Sequence, residues 1–134
     1  MLNKIEKLKS LKLLFVEDEV DLLHIITDTL DKLGANYLLA KNGEEGLDVL
    51  KNNSDIDIIV TDINMPIMTG IEMLKEINKI QNYDHIDTVV MSAHTESDFI
   101  EKAKDLGVQN YLFKPFDFIK FIDLISSLHD KKNA

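Results

Sequence analysis

Polar side chains that could bind or accept a phosphoryl group follow four short apolar runs of this chain. Glu17 and Asp18 follow the first run, Asp62 the second, Ser92 the third and Lys114 the fourth. A carboxylate can bind a divalent cation or act as a nucleophile, while an ammonium group and a hydroxyl can hold a phosphoryl group. If the fold brings them together, these residues supply the parts needed for phosphoryl transfer.

The elements that would position these side chains are strands and helices in alternation. Apolar runs of strand length alternate with helical patterns, and no linker or internal repeat interrupts them, which predicts a single α/β domain. We predict strands at residues 11–16, 37–40, 56–61, 87–93 and 110–113. The helical patterns span residues 22–33, 43–51, 71–77, 99–106 and 117–129. Right-handed crossovers between such units give a parallel sheet with helices on both faces.

The carboxyl ends of parallel strands are where ligands collect, so the polar residues there form the candidate site. Asp55 and Asp57 flank the start of the third strand, at the opposite edge, and are excluded from it. If the first and third strands are neighbours, the other three carboxylates converge within about 4 to 6 Å, and each like-charged pair costs on the order of 3 kcal/mol. Lys114 and a divalent cation would balance this charge, and Mg²⁺ is favoured because it needs few direct carboxylates.

Composition excludes several classes of protein. The chain has 134 residues and a net charge of -9, and all 15 of its cations are lysine. This surface repels nucleic-acid phosphates and acidic membranes, so we expect neither direct nucleic-acid binding nor membrane binding. The chain has no cysteine, the first ten residues lack the apolar run of a signal peptide, and no segment is long enough to span a bilayer. We expect a cytoplasmic protein.

Four segments together resemble one family, at its order and spacing. FVEDE (15–19), IIVTDINMPIMTG (58–70), VVMSAH (89–94) and YLFKPF (111–116) are similar to the receiver domain of two-component response regulators, including chemotaxis receivers. The resemblance covers residues 11–129 and leaves 1–10 as an N-terminal extension and 130–134 as a C-terminal tail. It implies a flavodoxin-like, doubly wound (βα)5 fold, a five-stranded parallel sheet in the order 2-1-3-4-5.

The resemblance also implies a role for each acid of the site. Asp62 matches the phospho-accepting aspartate, Asp18 the carboxylate that binds Mg²⁺ directly, and Glu17 the acid that reaches the metal through water. Asn64 matches the residue whose backbone carbonyl is a metal ligand. Glutamate at position 17, where the family usually has aspartate, is a departure that could shift that contact.

Four further residues take roles from the same resemblance. Ser92 and Lys114 match the hydroxyl and the lysine that hold the phosphoryl group, and the Lys114–Pro115 peptide is expected to be cis. Tyr111 matches the aromatic residue that moves inward on activation, and His94 lies at a position that modulates the lifetime of the phosphorylated state.

The function implied is a phosphorylation switch. A sensor histidine kinase or a phosphotransfer protein would supply the phosphoryl group, with Mg²⁺ as cofactor. Phosphorylation would change the face formed by the fourth strand, the helix after it, the fifth strand and the last helix, and so control an effector domain or a partner protein. Such a domain is not an enzyme, although it transfers phosphate to itself and removes it.

The last helix is more apolar than one buried face requires, since its apolar residues cover an arc of roughly 220°. Two explanations stay open: Leu2, Ile5 and Leu8 fold back onto this helix, or a homodimer or docking face covers it.

Three other functions fit these residues less well than the switch. Asp62-Ile63-Asn64 faintly resembles the motif of haloacid-dehalogenase-type phosphohydrolases, but the amide of Asn64 cannot replace the acid that they use as a proton donor. A flavodoxin-like electron carrier needs a phosphate-binding loop after the first strand, where this chain has acids. The complete set of site residues argues against a receiver-like adaptor that no longer transfers phosphate. Whether the domain acts alone or is part of a longer regulator stays open.

Overall fold

Strands and helices alternate throughout the computed structural model, which describes residues 1–80, 83–93 and 97–134. Within them the elements are α1 (Lys4–Lys9), β1 (Lys12–Val16), α2 (Val20–Leu33), β2 (Asn36–Ala40), α3 (Gly43–Asn52), β3 (Ile58–Asp62), α4 (Gly70–Asn78), β4 (Asp87–Ser92), α5 (Ser97–Asp105), β5 (Asn110–Phe113) and α6 (Phe118–Lys132). No helix in this part of the chain is both long and apolar enough to cross a membrane.

The five strands form one parallel sheet in the order β2-β1-β3-β4-β5, as predicted. Side chains alternate between its two faces, because successive strand residues point to opposite sides. Leu14 and Ile59 pack with α3, α4 and α5, while Phe15 and Val60 pack with α2 and α6. Helices on both faces bury β3 completely, which explains its run of β-branched residues.

Helix boundaries follow local signals that the sequence carries. Gly34 ends α2 in a left-handed conformation with φ of 71°, which glycine adopts without a steric penalty. Thr69 and Glu72 form a capping box at the start of α4 by exchanging backbone and side-chain hydrogen bonds. The last helix ends at Lys132, beyond the predicted end near His129.

The N-terminal extension forms α1 and folds back onto α6, the first of the two explanations left open. Asn3 and Glu6 form a capping box, and Leu8 is fully buried in the same cluster as Phe121. Lys4 forms a salt bridge with Asp123. Leu2, in contrast, stays exposed. α1 therefore covers part of the apolar arc of α6.

The third strand differs from its predicted bounds by two residues at one end and one at the other. β3 begins at Ile58, which pairs with Leu13 of β1 and Asp87 of β4. Asp57 lies just before it, and its carboxylate accepts a hydrogen bond from the backbone N of Lys12. It ends at Asp62, which is therefore the last strand residue and not the first loop residue.

Candidate functional site

Asp62 ends the central strand of the sheet, between β1 and β4. The residue is nearly buried, at 5% exposure. Oδ1 accepts a hydrogen bond of 2.8 Å from the backbone N of Ile63, and Oδ2 accepts one of 3.1 Å from Nζ of Lys114. The carboxylate is thus oriented by one neutral and one charged donor and still faces the edge of the sheet.

Two further carboxylates lie beside Asp62. One oxygen each from Glu17, Asp18 and Asp62 lie within 4.8 Å of one another. At that separation each like-charged pair costs about 3 kcal/mol at an effective dielectric constant near 20. The register that pairs Val16 with Thr61 explains this meeting, because β1 and β3 end side by side.

Glu17 is the buried member of this acidic cluster. Oε1 accepts a hydrogen bond of 3.2 Å from the backbone N of Glu19. Oε2 is buried, accepts no hydrogen bond from any described residue, and lies 4.0 Å from Nζ of Lys114. A buried oxygen without a donor beside two more carboxylates fits a hard divalent cation, which takes oxygen ligands.

Protonation in the pocket follows from this crowding. Burial raises the pKa of Glu17, and the negative charge of Asp62 raises it further, to about 8, against the opposing effect of Lys114. Burial alone would lower the pKa of Lys114, but the charges of Asp62 and Glu17 together raise it above its ordinary value. Lys114 is therefore charged at neutral pH and neutralises part of the cluster.

Lys114 reaches the pocket from the turn after β5. The Lys114–Pro115 peptide is cis, as expected from the sequence, and the backbone N of Lys114 donates a 2.9 Å hydrogen bond to the carbonyl of Ser92. Ser92 is fully buried at the end of β4, where its hydroxyl donates to the carbonyl of Ala93 at 3.0 Å. The structure thus brings both residues to the edge that holds Asp62, with the serine hydroxyl bonded to backbone.

The remaining predicted residues lie around this edge or outside the described chain. Asn64 is exposed in the loop between β3 and α4. Tyr111 is half-buried beside the core and donates from its hydroxyl to the carbonyl of Val108 at 2.9 Å. His94 lies outside the described residues.

Two glycines that hold the loop between β3 and α4 in place were not identified from the sequence. A Cβ atom on Gly70 would lie 2.2 Å from the carbonyl oxygen of Asp62, so only glycine fits there. Gly43 donates a 2.9 Å hydrogen bond to the carbonyl of Met68 and would also clash if it carried a side chain. In the sequence, the proline at position 66 and the glycine at position 70 indicate only a turn before the next helix.

The acids excluded from the site lie at the opposite edge of the sheet. Asp55 forms a salt bridge of 3.0 Å with Nζ of Lys12, the first residue of β1, and Asp57 accepts from the backbone of the same lysine. They hold the start of β1 against the segment before β3 and take no part in the pocket.

Comparison of the sequence with known proteins assigns the chain to a family. The sequence model of the response regulator receiver domain matches residues 13–126. The chain belongs to the response regulator receiver family. The receiver domain is 35% identical over 107 residues to a chemotaxis protein CheY homolog of Campylobacter jejuni, covering 79% of this chain and 82% of the relative. It is 31% identical over 114 residues to sporulation initiation phosphotransferase F of Bacillus subtilis, covering 85% and 90%.

Solved structures agree with this assignment. A response regulator receiver domain protein of Clostridium thermocellum superposes with a TM-score of 0.81 at 29% identity, covering 92% of this chain and 97% of that one. The Saccharomyces cerevisiae receiver domain of Ssk1, crystallised with the histidine phosphotransfer protein Ypd1, is similar to this receiver domain with a TM-score of 0.79 at 26% identity, covering 91% and 90%.

Proposed function

We propose that this receiver domain is a phosphorylation switch in which Asp62 accepts a phosphoryl group from a phosphohistidine. The donor would be a sensor histidine kinase or a phosphotransfer protein. One observation carries the proposal. One carboxylate oxygen each from Glu17, Asp18 and Asp62 lie within 4.8 Å of one another, and the amine of Lys114 lies 3.1 Å from Oδ2 of Asp62.

In the reaction, a carboxylate oxygen of Asp62 attacks phosphorus and the P–N bond to the imidazole breaks. The product is an acyl phosphate that carries about two negative charges, and the imidazole leaves. Asp18, Asp62 and the Asn64 carbonyl would hold Mg²⁺ directly and Glu17 through water, and the ion would supply positive charge for the phosphoryl oxygens. Lys114 already contacts Asp62 and would pair with the new anionic group.

The switch would follow from new partners for two side chains. The Ser92 hydroxyl, now bonded to the carbonyl of Ala93, would turn to the phosphoryl group, and Lys114 would close onto it. Space opened at β4 would let Tyr111 move inward. We propose that this change shifts a population between two arrangements of the face made by β4, α5, β5 and α6.

The same face offers a surface for the output. A groove of about 790 Å³ lies beside β5 and the start of α6, and Phe113, Phe118 and Leu124 line it. We propose that an effector domain, a partner protein or a second copy of the chain binds here, and light scattering with and without a phosphoryl analogue tests the homodimer.

We propose that the chain does not bind nucleic acid directly, because its net charge is -9. We also propose that it acts in the cytoplasm, with which the lack of cysteine is compatible.

Mass spectrometry of the intact protein tests the phosphoacceptor. Incubation with acetyl phosphate and Mg²⁺ should add one phosphate to the wild type and none to Asp62→Asn. Asp55→Asn changes the same residue type at the other edge of the sheet and should be phosphorylated like the wild type. Repeated turnover of a phosphatase substrate, or an Asp62→Asn protein that gains phosphate at the wild-type rate, would contradict the proposal.

A further inference from the structure

Ile67, in the loop that follows Asp62, has a backbone conformation that suits its residue type badly. Its φ is 69°, and it is the one non-glycine residue with positive φ in the part of the chain that the structure describes. The backbone N of Met68 donates a 2.7 Å hydrogen bond to the carbonyl of Pro66, which closes a three-residue turn around Ile67. A β-branched side chain disfavours positive φ, whereas glycine adopts it without a steric penalty.

The loop on either side of Ile67 is fixed. Met65 is buried in the core, the carbonyl of Met68 accepts a hydrogen bond from Gly43, and Gly70 donates one of 2.8 Å to the carbonyl of Ile63. These contacts hold the turn in its strained form. Ile67 itself is 76% exposed and so gains little burial in return for the strain.

An isoleucine that is both strained and largely exposed gains little from folding at this position. Strain of this kind persists only where the surrounding structure enforces it, and it clusters at active and binding sites. The position suggests which function, because the loop starts at Asp62 and Asp62 is only 5% exposed at the end of its strand. A protein that carries a phosphohistidine must therefore bring its surface against this edge of the sheet, where the loop lies.

We propose that Ile67 is an apolar contact for the histidine-phosphorylated protein that donates to Asp62, and that the strained turn exists to hold this side chain outward. The proposal rests on the proposed function of Asp62. The donor protein then presents an apolar patch next to its phosphohistidine. Ile67, which is exposed in the free receiver domain, becomes buried against this patch when the two proteins dock, and this burial favours the complex.

Two phosphodonors separate docking from chemistry. Acetyl phosphate reaches Asp62 without a protein surface, whereas an autophosphorylated histidine kinase must dock. Each histidine kinase and phosphotransfer protein of the source organism is purified and phosphorylated on histidine. The one that transfers phosphate fastest to the wild-type chain serves as the protein donor, called the kinase below. Ile67→Gly and Ile67→Asn should react with acetyl phosphate at the wild-type rate but accept phosphate from the kinase about tenfold more slowly at low receiver concentration. Ile67→Gly should also unfold at higher urea concentration than the wild type, because glycine adopts positive φ without strain.

Leu2→Ser is the matched control, since it removes an exposed apolar side chain of the segment before α1 and should leave transfer from both donors unchanged. Equal slowing with both donors would give Ile67 a role in shaping the pocket and overturn the proposal. Unchanged transfer from the protein donor, a loss of stability in Ile67→Gly, or no histidine-phosphorylated protein that phosphorylates the wild type would overturn it as well. Failure of the wild type to react with acetyl phosphate would instead refute the proposed function of Asp62.

Discussion

Glu17→Gln should stabilise the metal-free protein, and by an amount that depends on pH. The folded state raises the pKa of Glu17 from 4.5 to about 8, through burial and the charge of Asp62. The folded protein therefore keeps a proton that the unfolded chain releases above pH 4.5. Its free energy of unfolding falls by about 1.4 kcal/mol per pH unit between these two values and levels off above pH 8.

The size of the effect follows from this slope. At pH 7, about 2.5 units above the ordinary pKa of 4.5, the wild type has lost about 3 kcal/mol of stability through this group. Glutamine is neutral at every pH, so the variant should be about 3 kcal/mol more stable than the wild type at pH 7 and nearly equal to it at pH 4.5. Its amide can donate a hydrogen bond to the carboxylate of Asp62, as the protonated glutamic acid does, but without taking up a proton.

Urea unfolding followed by circular dichroism in EDTA, repeated from pH 4.5 to above pH 8, measures the difference. Asp48→Asn removes an exposed carboxylate of α3 and should change the free energy of unfolding by less than about 0.5 kcal/mol at every pH. Excess Mg²⁺ should narrow the gap between wild type and Glu17→Gln, because the wild type keeps its third carboxylate for the ion. A Glu17→Gln variant that is no more stable than the wild type at pH 7, or whose advantage does not change with pH, would refute a raised pKa of Glu17.

Two further predictions concern packing. Leu8→Ala should lower the free energy of unfolding by about 3 kcal/mol, because this residue of α1 is fully buried in the cluster that includes Phe121 of α6. The exposed Leu2 is the control, and Leu2→Ala should lower the free energy of unfolding by less than about 0.5 kcal/mol in the same urea titration. Gly70→Ala should destabilise the fold and abolish phosphorylation by acetyl phosphate, because its Cβ would lie 2.2 Å from the carbonyl of Asp62. Gly107→Ala has open space around it but positive φ, so it should cost about 1 kcal/mol and leave phosphorylation intact. Wild-type reactivity of Gly70→Ala would show that the loop can move away from β3.

The sequence predicted the sheet well because its signals were local and repeated. Each strand was a short apolar run with a polar residue after it, and the polar residues Glu17, Asp62 and Lys114 marked one edge in advance. The meeting of these three residues depends on strand order, which periodicity alone does not determine; the family resemblance supplied that order.

Features that depend on tertiary contact were beyond local signals. α1 has six residues, too few for an isolated helix, so its formation depends on packing of Leu8 against α6. The conformation of Ile67 contradicts its own backbone preference, so no rule based on residue type predicts it. Burial of Glu17 was equally hidden, because an acid after a strand is most often solvated.

Docking of α1 has a practical consequence for detecting motion in α6. A six-residue helix unfolds once its contacts with α6 are lost, so movement of α6 that separates it from Leu8 would release Lys4, Lys7 and Lys9 into flexible chain. Trypsin cleaves after lysine, and it does so efficiently only where the backbone is flexible. The rate of tryptic cleavage near the N-terminus therefore reports how stably α1 packs against α6, and it requires no label.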